Sequence, residues 1–160
     1  AVNVNGVDLD LLSGINYYIY FGFDQPFTTN ASNWTIEGNS ANGITGFSHT
    51  DNSNFPQGGN FTLPSSININ SNFTLNFTST AGSYATVFSI EGNKGSKTKA
   101  IQGGSGTVSF SSEELKEVAF SSDIIAFGIT PVNITNGTVI NGKKYYFVKQ
   151  ISYLRQTETL

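Results

Sequence analysis

Asparagine carries most of the chemistry this sequence offers. The Asn-X-Ser/Thr acceptor pattern occurs at Asn30, Asn33, Asn60, Asn72, Asn76, Asn133 and Asn136. Composition alone would produce roughly four such sites, against seven here. The chemistry is transfer of a sugar to the side-chain amide nitrogen, which needs an exposed site on a secreted chain. Asn72 and Asn76 are the sharpest candidates. In NFTLNFT the residues Phe73, Leu75 and Phe77 alternate with Asn72, Thr74, Asn76 and Thr78, so both asparagines fall on the outward face of a strand.

Other reactive groups are sparse. His49 lies in FSHTDNSNF beside Asp51, Asn52 and Asn54, a set of donors a metal could use. The calcium-loop spacing and a second histidine are both missing, so a solvated loop without metal is expected. With one histidine and no strand-to-helix serine elbow, no hydrolase triad is recognisable. Glu91, Glu113, Glu114 and Glu117 have no spacing that makes a glycosidase pair, and the last three read as a solvated short helix. Neither catalytic residue nor cofactor is expected. Trp34, Tyr17, Tyr18, Tyr20, Tyr145 and Tyr146 could stack on sugars, but neighbours such as Tyr145 and Tyr146 point to opposite faces of a strand. Core packing is the expectation for them. Lys144 and Lys149 flank the final strand. A buried lysine in a cysteine-free extracellular β-domain can condense with a carboxamide or carboxyl, and Asn3, Asn5, Asp8 and Asp10 are the partners offered for such an isopeptide crosslink.

Composition narrows the class. At 160 residues the chain has enough length for a real core, and 13 Phe, 7 Tyr and 1 Trp supply much of it. Charged residues make up 12%, with net charge −3, which argues against nucleic acid as partner. No apolar run is long enough to span a bilayer. Cysteine and methionine are both absent, which excludes disulfides and leaves little to oxidise. Ala1 in place of an initiator methionine fits a matured secreted chain, and an extracellular location is expected. With only 11 Asp and Glu, stability should depend little on pH.

These groups need strands to position them. Residues 15–23, 34–36, 44–47, 60–63, 66–70, 72–78, 84–92, 106–111, 124–132 and 144–155 all read as strands, with a Gly/Lys/Ser loop between 92 and 106. Ser112, Glu113, Glu114 and Leu115 begin one short helix. Asn141-Gly142 predicts a hairpin from about Thr138 to Tyr146. The fold expected is an all-β sandwich, jelly-roll or Ig-like. Within AVNVNGVDLDLL, Val2 and Val4 alternate with asparagine, and Val7, Leu9 and Leu11 alternate with aspartate. The phase slips at Asn5-Gly6, where a bulge or kink would return the second apolar row to the first face. Residues 1–12 are therefore expected to be a donor strand whose sheet is its own or a neighbour's, with 13–160 as the sandwich head.

The alternating N-terminal strand, the β-rich body running to ISYLRQTETL, the lack of Cys and Met, and the dense sequons together resemble subunits of archaeal extracellular thread filaments. Archaeal bundling pilus subunits are a more distant likeness. The tail is similar in logic to that of bacterial chaperone–usher pilins, although their usual disulfide is missing. A type IV pilin is excluded by the lack of a long apolar N-terminal helix. The resemblance implies a head-to-tail homopolymer joined by donor-strand complementation, N-glycosylated, and serving adhesion or biofilm cohesion at the cell surface. A secreted carbohydrate-binding, lectin-like module is the alternative. It would keep residues 1–12 in its own sheet and place the aromatics on an exposed face.

Overall fold

The computed structural model describes residues 1–12, 17–19, 31–56, 61–78 and 83–160. In chain order the strands are β1 (Val2–Val4), β2 (Val7–Asp8), β3 (Asp10–Leu12), β4 (Tyr17–Ile19), β5 (Ser32–Ile36) and β6 (Phe47–Asp51). There follow β7 (Ser66–Ile67), β8 (Phe73–Thr78), β9 (Ala85–Gly92), β10 (Gly95–Gln102), β11 (Ser105–Phe110), helix α1 (Ser112–Val118) and β12 (Ile124–Ile134). The last four are β13 (Thr138–Ile140), β14 (Lys143–Tyr145), β15 (Val148–Gln150) and β16 (Tyr153–Thr159). The chain is all-β and divides into two units, residues 1–55 with 135–147, and residues 56–134 with 148–160.

In the first unit, β2-β1-β5-β6 form one antiparallel sheet. The alternation of β1 is real: Val2 and Val4 are 8% and 3% exposed, while Asn3 lies half-buried. Register stacks Val4, Trp34 and His49 in one row and Val2, Ile36 and Phe47 in the next. Their cover comes from the β13–β14 hairpin and the residues just after it. Phe147 packs on His49 at 4.3 Å and on Trp34 at 5.3 Å, and Tyr145 on Phe47 at 4.6 Å between ring centroids.

The second unit is a sandwich. Its larger sheet runs β10-β9-β12-β16-β7, with β15 paired to the far end of β12, and its smaller sheet is β8-β11. Phe73, Leu75 and Phe77 from β8 and Val108 and Phe110 from β11 meet Phe88, Ile90, Phe127 and Ile129 in one buried cluster. Phe127 is fully buried, with the rings of Phe73, Phe88 and Phe110 at 6.0–6.4 Å. The edge-on contacts of Phe73 and Phe110 and the tilted contact of Phe88 add to the area term that holds the layers together. Helix α1 closes the cluster with Leu115 and Val118.

Several expectations need correction. Asn5-Gly6 is not a bulge in a long strand: with φ of 51° and 84° it is the two-residue turn of a hairpin, pairing Val4 with Val7 and Asn3 with Asp8. Residues 1–12 are therefore not one extended strand, and β1 pairs with β5 of the same chain. The segment 44–47 gives way to β6 at 47–51, so His49 sits on a strand and not in a loop. Residues 61–64 are not a strand, and 66–70 shrinks to β7. The Gly/Lys/Ser loop is β10, and 144–155 breaks into β14, β15 and the start of β16. The helix starts at Ser112 as expected, with Ser111 as its cap. The β13–β14 hairpin falls where Asn141-Gly142 predicts it. Of the segment 15–23, only 17–19 belongs to the described residues.

Candidate functional site

The two groups of candidate residues fall in different places. Among the donor residues, Val2 and Val4 are buried, Val7 and Leu9 half-buried, and Leu11 is 50% exposed on β3. The hairpin is held by its own side chains. Asn3 Nδ2 donates to Asp8 Oδ1 at 3.0 Å, and the Gly6 amide donates to Asn3 Oδ1 at 2.8 Å. It is anchored to β5 by the Asn33 amide, which donates to Asn5 Oδ1 at 2.8 Å, and by the Asn5 amide, which donates to the Asn33 carbonyl.

Three sequons share one device. Asn33, Asn72 and Asn76 are exposed. Each uses Oδ1 as an acceptor: from Thr50 Oγ1 at 2.8 Å, from the Ser112 amide at 3.1 Å and from Thr107 Oγ1 at 2.8 Å, respectively. Attachment of sugar uses the nitrogen and leaves each of these bonds intact. The outer face of β8-β11 is polar throughout, Thr74 Oγ1 lying 2.9 Å from Ser109 Oγ, while Leu75 and Phe77 point to the core. Asn136 is exposed in the turn before β13, whereas Asn133 is half-buried on β12. Asn30 and Asn60 lie outside the described residues.

Beside β8 lies a cavity of about 530 Å³, lined by Phe61, Thr62, Thr74, Leu75 and Asn76. Sequence reasoning places Asn76 on an exposed strand face but misses Phe61 and Thr62, which it assigns to a strand. Phe61 is half-buried, its ring 6.5 Å from Phe127 and its face 5.5 Å from the Arg155 guanidinium. Only the Asn-Phe-Thr repeat at 60–62, 72–74 and 76–78 hints in the sequence that these segments are related.

Of the isopeptide candidates, Lys144, Asn3, Asn5 and Asp8 make other contacts. Lys144 is exposed, its ammonium 5.2 Å from the Tyr146 ring, and Asn3, Asn5 and Asp8 serve the hairpin turn. Lys149 is 2% exposed on β15, in register with Asn133. His49 is occupied in stacking on Phe147, and no group of metal-ligating residues is found among the described residues. Glu114 belongs to an ion network: it accepts from the Lys99 ammonium at 2.7 Å and from the Ser111 amide at 2.7 Å. Lys99 first, then Ser111, hold the Glu114 carboxyl below the usual carboxylate range. Among the described residues no helix is long and apolar enough to cross a membrane. No family model, curated protein or solved structure matches this chain.

Proposed function

We propose that this protein is a structural subunit of an extracellular surface filament, N-glycosylated and joined head-to-tail by exchange of its N-terminal β-hairpin, serving adhesion or biofilm cohesion. The observation that carries the reading is the plug formed by Val2 and Val4, 8% and 3% exposed on a strand of only three residues. A short strand that fills a core slot in its own unit can fill the same slot in a neighbour, because every contact is conserved in the exchange. Such a contact is heterologous and propagates as an open fibre unless the rotation closes a ring. Pairing along β5 covers a sheet edge that would otherwise invite uncontrolled association.

A disulfide trap tests this, since the chain has no cysteine of its own. Asn3 and Thr35 are register partners on the face away from the plug, and directly opposed strand residues lie within disulfide range. Oxidising the Asn3→Cys, Thr35→Cys variant after concentration should give a covalent ladder on a non-reducing gel. A product that stays monomeric and internally crosslinked would overturn the exchange. The cis pairing of β1 with β5 favours a second reading, the secreted carbohydrate-binding module. The aromatics available to it divide between the packed set Trp34, Phe47 and Tyr145 and the exposed Tyr84 and Tyr146, both 57% accessible. A monomeric trapped product that is retained on immobilised polysaccharide would support that module.

A further inference from the structure

We infer that the cavity beside β8 seats the first sugars of a glycan carried by Asn76, an inference that rests on the glycoprotein reading above. At about 530 Å³ the cavity lies within the size range of small-ligand sites. Its lining suits a sugar ring: the half-buried Phe61 offers apolar contact to the C–H face, Thr62, Thr74 and Asn76 supply hydroxyl and amide groups, and Leu75 lines it only from the core side of β8. The acceptor is itself one of the lining residues. Asn76-Phe77-Thr78 is a sequon, and the 2.8 Å bond from Thr107 Oγ1 to Asn76 Oδ1 orients the amide while leaving attachment to the nitrogen. Asn72 provides the contrast, because it lies outside the lining and is tied to the Ser112 amide at the start of α1.

Attachment forms a bond from Asn76 Nδ2 to C1 of a glycosyl pyrophosphate donor. The C1–O bond breaks, the pyrophosphate leaves with its electron pair, and the amide proton passes to a base of the transferase. Once linked, the sugar also shields an edge of β8 that has no strand partner among the described residues.

The test compares full-length chains made in a glycosylating host and in a non-glycosylating one. Glycopeptide mass spectrometry reads occupancy, and hydrogen exchange reads the peptides covering 61–63 and 73–78. In the glycosylated chain, Asn76→Gln should speed exchange there by about three- to tenfold, the scale of one ring contact. Asn72→Gln should leave that exchange unchanged. In the unglycosylated chain Asn76→Gln removes only the Thr107 bond, so it measures that bond alone. Equal effects of Asn76→Gln in both hosts, with Asn76 occupied, would overturn the seated glycan and leave the glycoprotein reading standing. Asn76 unmodified while other sequons are occupied would do the same, and a chain unmodified at every sequon would overturn both.

Discussion

Replacing Val2 and Val4 together by alanine should release the N-terminal hairpin while sparing the second unit. Each substitution deletes two methyl groups from a side chain that is 8% or 3% exposed. At about 0.8 kcal/mol for each buried carbon, the pair forfeits roughly 3 kcal/mol before any cavity term. The two sites share a face and a strand, so strict additivity is not expected. A loss of that size corresponds to about a hundredfold increase in local opening. The chain has two units, and a single unfolding midpoint would blend them. Residue-resolved hydrogen exchange across Ser32–Ile36 is therefore the assay, with Leu11→Ala as the matched control. Leu11 is 50% exposed, and its truncation should change exchange by less than about threefold. Under the proposed exchange, filament yield should fall with the double variant and not with the control, because a donated hairpin would use the same two valines. Unchanged protection of β5 in the double variant, or an equal effect from Leu11→Ala, would refute the plug.

Ser111→Ala removes one half of a capping box from a seven-residue helix and should cost about 1 kcal/mol, read as a lower melting temperature of the second unit. The Glu114 carboxyl has a lowered folded value, so its contribution is present above the ordinary carboxylate range and is lost as pH falls through that lowered value. Glu114→Gln should flatten that acid limb in a melting-temperature series, and a flattening only on the alkaline side would contradict the assignment. Gly92→Ala should cost about 1–3 kcal/mol, because a methyl there would stand 2.6 Å from the Val118 carbonyl oxygen. Gly128→Ala meets the Ser89 and Leu154 side chains and no backbone, so it should cost less in the same thermal assay.

Strands whose apolar residues alternate cleanly are legible in the sequence, and those whose buried column is built from other side chains are not. In β8 the inward row is Phe73, Leu75 and Phe77, and its position follows from hydrophobicity alone. In β10 the inward row is Lys97, Lys99 and Ile101, each half-buried. Lysine stems cover apolar surface while their ammonium groups reach out to partners. Lys99 spans the Phe110 ring at 4.9 Å to reach Glu114, and Lys97 pairs with Glu117. A scale that scores lysine as polar therefore reads a loop. The same blindness affects β6, where His49 behaves as an aromatic flat against Phe147.

The N-terminal segment shows a subtler limit. A bulge and a two-residue hairpin both return Val7 to the face shared by Val2 and Val4, so the apolar pattern cannot separate them. What separates them is backbone geometry: type I′ turns demand positive φ at two successive residues, and Asn-Gly is the pair that accepts it most readily. Asn5 at 51° and Gly6 at 84° meet that demand, as do Asn141 at 51° and Gly142 at 76° in the β13–β14 hairpin. Turn chemistry should therefore outweigh the phase of the apolar row wherever the two compete. For assembly the difference is one of reach: a twelve-residue extended tail spans roughly 40 Å, whereas a hairpin folded at Asn5-Gly6 spans less than half of that. Exchange between copies then requires the hairpin to travel as a unit, hinged after β2. The bonds that Asn3 makes with Asp8 and with the Gly6 amide would survive the journey, while the hairpin's bonds to β5 and those between Ala1 and Glu37 would be broken and remade.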